Sequence, residues 1–322
     1  KNPTPYHRNI LPIGYYLKHC PHYQYLITQV LLVITILINY SSYAAEVKHS
    51  LDIQVRADDK SNKDLRFQYR IRYKPSVTFS DTWSAHSFIA TGDEFSSSHN
   101  TLDDGAADYF YVRRLYGRHT GNYGKTEFGI IPTYKGRVSS SGLSKDGWIQ
   151  GVRHVRAIHK DTKLELVAGQ LESLDTRDAL ALPGKLDYLE LEYSASITDS
   201  LSYELSLERM TSLNYVRTEL RYQYLKQHTI FAELIKRANA DKIKGVLGIE
   251  GKFLLANKAY EYFAHYSYVS KQFGLRAELT EDFLATGNGI SVELESQIGQ
   301  SDFDWFIRFD GVSSQSRFLA GL

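Results

Sequence analysis

The chain has 322 residues, 43% of them hydrophobic and 13% aromatic, with a formal net charge of +1 and a mean hydropathy of −0.35. These values exclude a bundle of membrane-spanning helices, which would be far more apolar, and a nucleic-acid partner, which would want a basic excess. A single cysteine, Cys20, excludes a disulfide framework and a thiolate metal centre.

Neutrality hides an asymmetry. Glu46 to Lys160 holds 18 Lys and Arg against 13 Asp and Glu, a net of +5, whereas Asp161 to Leu322 holds 17 against 24, a net of −7. Tyrosine, with 24 residues against 15 Phe and 3 Trp, is in excess. An apolar ring with a polar tip suits a membrane–water boundary.

Residues 1 to 22, with Pro3, Pro5, Pro12 and Pro21, read as sequence upstream of the true start. The uncharged run Leu26 to Ile38 follows. It is shorter than the roughly 20 residues a spanning helix needs, but it suits the core of a cleavable signal peptide. Ser42 and Ala44 then occupy the −3 and −1 places before Ala45. Residues 1–44 are therefore set apart as leader and 45–322 as the mature domain, exported by the general secretory route. Cys20 precedes the apolar run, so a lipid anchor is not expected.

From Val47 onward the pattern is period two. Val47 to Ala57 alternates apolar and polar residues. After a polar turn, Leu65 to Phe79 places Leu65, Phe67, Tyr69, Ile71, Tyr73, Val77 and Phe79 on one face, and Arg66, Gln68, Arg70, Arg72 and Lys74 on the other. A strand from Trp83 to Ala90 leads into a polar loop, Thr91 to Asp108. Further strands are predicted at Tyr109–Gly117, Thr126–Tyr134, Trp148–Ile158, Leu164–Leu171, Leu186–Ile197, Leu201–Arg209, Tyr215–Leu225, Ile230–Arg237, Ile243–Leu254, Ala259–Val269, Phe273–Thr280, Ile290–Ile298 and Phe303–Phe309.

That makes about 16 strands, most close to the roughly 9–11 residues of a tilted membrane strand. Short links alternate with long ones, as in barrels with short periplasmic turns and longer outer loops. The end, Arg317-Phe318-Leu319-Ala320-Gly321-Leu322, stops partway into a strand, so one or two further strands are expected. The fold class is an all-β transmembrane antiparallel up-and-down barrel of about 16–18 strands, with a lumen wide enough for water.

Three segments carry a family resemblance. They are Trp83-Ser84-Ala85 with the basic strand before it, Thr91-Gly92-Asp93 leading to Ser98-His99-Asn100-Thr101-Leu102, and Lys145-Asp146-Gly147-Trp148-Ile149-Gln150-Gly151-Val152-Arg153. Together they resemble the porin-like and alginate-export-like outer-membrane barrels of Gram-negative bacteria. The resemblance implies passive or facilitated passage of small solutes. Hydrophilic solutes, anions among them, crossing an outer membrane through a monomer or a homo-oligomer such as a trimer, are the expected function.

A pore acts through the charge of its lining. The expected basic lining is Arg66, Arg70, Arg72 and Lys74, extended by Arg113 and Arg153, with Arg114, Arg118 and Arg156 as further candidates. The expected acidic wall is Glu190, Glu192, Glu204, Glu208, Glu219, Glu293 and Glu295, together with Glu233, Glu250 and Glu261. A basic wall facing an acidic one would orient dipolar solutes; the alternative is that these charges pair across strands and only keep the interior folded. No cofactor or metal is expected. Asp93, Glu94, Asp103, Asp104 and Asp108 could ligate calcium, but a solvated outer loop accounts for them. His86, His154, His159 and His265 fall in no catalytic spacing, so an enzyme is not expected. A plugged structural or adhesive barrel remains the alternative. A soluble β-protein would leave the apolar faces without a burial partner.

Overall fold

The computed structural model describes residues 45–92, 99–102, 110–132, 148–171, 182–274, 286–313 and 315–322, without the side chains of residues 110, 111 and 148. The expected leader, residues 1–44, and the acidic loop residues Asp93, Glu94, Asp103, Asp104 and Asp108 lie outside them.

The strands are β1 (Glu46–Lys60), β2 (Arg66–Thr78), β3 (Trp83–Thr91), β4 (Asn100–Thr101), β5 (Phe110–Gly121), β6 (Gly124–Pro132), β7 (Trp148–His159), β8 (Thr162–Gln170), β9 (Tyr188–Thr198), β10 (Leu201–Met210), β11 (Leu213–Tyr224), β12 (His228–Arg237), β13 (Ile243–Leu255), β14 (Lys258–Val269), β15 (Gly287–Gln297), β16 (Asp304–Val312) and β17 (Gln315–Gly321). Each pairs antiparallel with its neighbours in chain order. The short β4 resumes the ladder that β3 makes with β2: Arg72 faces Ala90 on β3, and Gln68 faces Thr101 on β4. The two therefore count as one wall strand, and the ring is a closed 16-strand up-and-down barrel.

Closure corrects the expectation of missing strands. β17 pairs with β16 on one side and with β1 on the other, from Arg56 opposite Gly321 to Lys60 opposite Arg317. The count of 16 predicted strands also held one misassignment. Phe273 and Gly274 lie in no strand, residues 275–280 fall outside the described ones, and the sixteenth wall strand is β17.

Side chains follow the pleat. Leu51, Phe67, Val152, Leu166, Leu207, Val216, Leu247, Phe309 and Phe318 are exposed on the outer face, with fractions from 44% for Phe309 to 60% for Leu51. Their alternate neighbours point inward and are mostly charged or polar. The two-residue period of the strands accounts for this, because shifting any strand by one position would exchange the two faces.

The links at one mouth are all short: residues 79–82, 122–123, 160–161, 199–200, 225–227, 256–257 and 298–303. At 256–257 both Ala256 and Asn257 have positive φ, 49° and 63°, the geometry of a two-residue hairpin whose twist matches its strands. The long links, 133–147, 171–187 and 270–286, all leave the opposite mouth. Outward aromatics gather near the short-link mouth: Tyr193 lies 6.0 Å from Tyr203, Phe253 stacks on Tyr260 at 5.3 Å, and Tyr260 meets Trp305 at 6.3 Å. This is a belt of the kind that sits at a membrane–water interface.

At the long-link mouth the inner face is apolar. Ile131, Ile149, Val167, Tyr188, Met210, Tyr215, Ile235 and Val269 come from strand ends and pack with Leu171 and Phe273 from the links. Tyr215 Oη donates to the Phe273 carbonyl at 3.1 Å, so the chain after β14 turns in across the ends of β13 and β12 to reach β11.

Candidate functional site

The charged interior has two sides. On the first, β2 presents Arg66, Arg70, Arg72 and Lys74 on one face beside β1, whose own inward residues include Asp52 and Asp58. Arg66 Nη2 lies 2.5 Å from Asp58 Oδ2, Arg72 Nε 2.8 Å and Arg70 Nη2 3.5 Å from Asp52 Oδ1. Gln68 accepts from Arg56 Nε at 2.9 Å. Four like charges on one strand would repel; alternation with the β1 carboxylates removes most of that cost. Lys74 is the exposed member, its Nζ 5.8 Å from the Phe88 ring centroid.

Arg113 and Arg114 break the alternation because β5 carries a bulge. Phe88 faces Arg114 while Ile89 faces Val112, which leaves Arg113 as the extra residue. Arg113 is fully buried and donates from Nη2 to the Thr91 carbonyl at 3.3 Å, and the Arg114 guanidinium lies 4.8 Å over the Phe88 ring. Arg153 is buried in a fork with Glu165, at 2.8 and 2.7 Å, and reaches Glu127 at 3.2 Å. Glu127 also accepts from Arg118 at 2.9 Å and lies 3.2 Å from Lys125. Arg156, expected to extend the strip, instead lies on the outward face, opposite Leu164 on β8. Arg153 shows the reason: it points in, and Arg156, an odd number of positions along the strand, points out.

The second side carries the glutamates around Arg217, which is fully buried. Its guanidinium meets Glu233 at 2.5 Å, Glu204 at 3.1 Å, Glu192 at 3.4 Å, and Glu219. Arg221 bridges Glu219, at 3.2 Å, and Glu250. Glu190 accepts from Tyr188 Oη at 2.8 Å and Glu208 from Ser206 Oγ at 2.8 Å. Further round the wall, Glu293 lies 3.8 Å from Arg308, and Glu261 pairs with Lys252. Glu295 stands directly opposite Glu261 across the β14–β15 ladder. Glu250, Lys252, Glu261, Glu293, Glu295 and Arg308 line a cavity of about 540 Å³ near the short-link mouth. Arg308 and Arg317 share Asp310, at 2.8 and 2.7 Å.

Sequence reasoning missed Arg217 and Arg221, and also the partners Asp52, Asp58 and Glu127. The signal for the first pair was present: Arg217, Glu219 and Arg221 stand at alternate positions of Leu213–Tyr224 and so share a face.

His99, in the connection before β4, is hydrogen-bonded through Nε2 to Gln54 Oε1 at 2.8 Å. Burial, then the nearby Arg56, Arg70, Arg72 and Arg317, hold its imidazole far below the ordinary range, so it is neutral. Among the other histidines, His86 Nε2 is 2.8 Å from Ser84 Oγ and its ring stacks on Tyr116 at 5.0 Å. Among the described residues no carboxylate hydrogen-bonds His86. His154 Nδ1 meets Thr126 Oγ1 at 2.9 Å on the outer face, and His265 is buried inside.

A search of solved structures finds this architecture in outer-membrane barrels. A mutant of the Rhodopseudomonas blastica porin matches with a TM-score of 0.56 at 10% identity, over 85% of this chain and 98% of that one. A loop-deletion mutant of OmpT, an outer membrane protein of Vibrio cholerae, matches with a TM-score of 0.54 at 13% identity, over 87% of this chain and 98% of its own. OmpT folded in vitro, in a form described as a trimer, matches equally. At such identity the likeness is one of fold. Neither a scan against family models nor a search of curated proteins finds a match.

Proposed function

We propose that this chain is a porin-like channel of a Gram-negative outer membrane, reached after secretory export, that passes small hydrophilic solutes, anions among them. One observation carries the reading: a closed 16-strand ring is apolar outside and charged inside, which suits a wall with lipid on one side and water on the other. Arginines and lysines of β2, β5 and β7, with Asp52, Asp58, Glu127 and Glu165 among them, line one part of the interior, and glutamates of β9 to β15, with Arg217, Arg221 and Arg308 among them, line another. An excess of one sign left over from these pairs would orient a dipolar solute and select ions by sign. Lys74, the exposed member of its strip, is the lining cation best able to meet a passing anion. Glu295, set opposite Glu261, is its counterpart on the acidic side.

A second reading, a plugged barrel, rests on a specific observation: Glu127, Arg217, Glu219 and Asp310 are fully buried, and the long-link mouth is lined by a packed apolar cluster. Single-channel recording in a planar bilayer under a KCl gradient separates the two. Discrete steps with a displaced reversal potential support the channel. A folded, inserted barrel that gives no steps supports the plug and refutes the channel.

A further inference from the structure

The outer face of β7 to β11 is not uniformly convex. It holds a groove of about 640 Å³ whose floor and walls include Leu166, Ala168, Leu189, Leu191, Leu207 and Val216. The small Ala168 leaves room between the leucines. Strand register makes the groove a lateral trough: Leu166 faces Leu191, Leu191 faces Leu207, and Leu207 faces Val216. With His154 of β7 opposite Leu166, four interstrand steps of roughly 4.8 Å from β7 to β11 give it a length of about 19 Å, the scale of an extended acyl chain.

The edge toward the long-link mouth is cationic. Arg209 lines the groove opposite Asn214, and Lys236 stands on the next strand, opposite Val216. Both cations are exposed on the outward face, and neither has a hydrogen bond or ion pair with another group among the described residues. This sets them apart from the interior arginines, nearly all of which are paired. A cation on a lipid-facing wall is costly unless it lies at the interface beside an anion, and basic groups there attract anionic headgroups.

We propose that this groove is a binding site for an acyl lipid with a phosphate headgroup: the phosphate lies at Arg209 and Lys236, and one chain runs along the leucine trough toward His154. The inference rests on the reading of the barrel as a membrane protein.

The full chain, reconstituted in nanodiscs of phosphatidylcholine doped with phosphatidylglycerol, would be released and examined by native mass spectrometry for retained lipid. The wild type is expected to retain phosphatidylglycerol at least tenfold over its share in the disc. Arg209→Gln with Lys236→Gln should bring retention down to that share, while Ala168→Phe, which fills the trough, should lose both lipids. Equal retention of the two lipids by the wild type, or an unchanged preference in the Gln variant, overturns the proposal, as does a dimer or trimer whose contact is abolished by Ala168→Phe, since a second copy would then occupy the groove. Protease protection of the barrel in the disc is read in parallel. Failure to insert refutes the membrane reading itself, whereas insertion without lipid preference refutes only the site.

Discussion

Replacing Arg217 by methionine removes the one cation that four glutamates share. Glu219 and Glu233 are fully buried, Glu192 is buried and Glu204 is partly exposed, and the guanidinium bonds to Glu233 at 2.5 Å and Glu204 at 3.1 Å. Taking one partner from a buried ionic cluster leaves charge desolvated without compensation, a loss of about 3–5 kcal/mol. Arg217→Lys keeps the charge but not the planar fork that serves several carboxylates at once, so its loss should be smaller but clear. Adding Glu233→Gln to the methionine variant should recover about 1–3 kcal/mol, because one of the stranded carboxylates becomes neutral. The assay is urea unfolding of the barrel from lipid vesicles, followed by the fluorescence of its 3 tryptophans. A loss under about 1 kcal/mol, the size expected for solvated pairs, would refute the reasoning and mean that water screens the cluster.

Three further outcomes follow from the same structure. Changing Arg70, Arg72 and Lys74 together to Gln should move the reversal potential toward cation selectivity, with little change in the size of the steps; an unmoved potential would assign selectivity elsewhere. A Cβ at position 248 would lie 2.3 Å from Phe231 Cζ and 2.7 Å from the Ala264 carbonyl oxygen. Gly248→Ala should therefore cost about 1–3 kcal/mol in the same unfolding assay. His99 is held neutral in the folded barrel, below its ordinary value of 6.5. As pH falls, the unfolded chain takes up this proton first, so its contribution is complete above pH 6.5 and is lost progressively below it. Wild type should thus lose about 2 kcal/mol more than His99→Gln between pH 7.5 and 5, and equal losses would show that His99 titrates normally.

The architecture was legible because a wall between lipid and water imposes strict alternation. β9 to β12 read directly, since nearly every residue obeys the period. Departures came where geometry overrides the period. The bulge at Arg113 puts consecutive arginines out of step, and β4 is a two-residue fragment whose meaning lies in its pairing with β2. β17 was taken for an interrupted strand because its partner β1 lies at the far end of the sequence. The inward charges were legible by face but not by partner: pairing of Arg66 with Asp58, or of Arg217 with four glutamates, depends on register between strands, which periodicity within a strand does not contain.

The join between first and last strands carries a consequence for biogenesis. Ser316 N donates to Ser61 Oγ across 255 positions of sequence, and the neighbouring ladder from Arg56 to Lys60 closes over the same span. Until that ladder forms, β1 and β17 each present an unpaired row of backbone donors and acceptors, the template on which chains aggregate. Pairings so distant in sequence are also the slowest to form. The first strand made must therefore wait for the last, and the inward Lys48, Asp52, Arg56 and Asp58 give the waiting edge a charged face that discourages another chain from pairing with it.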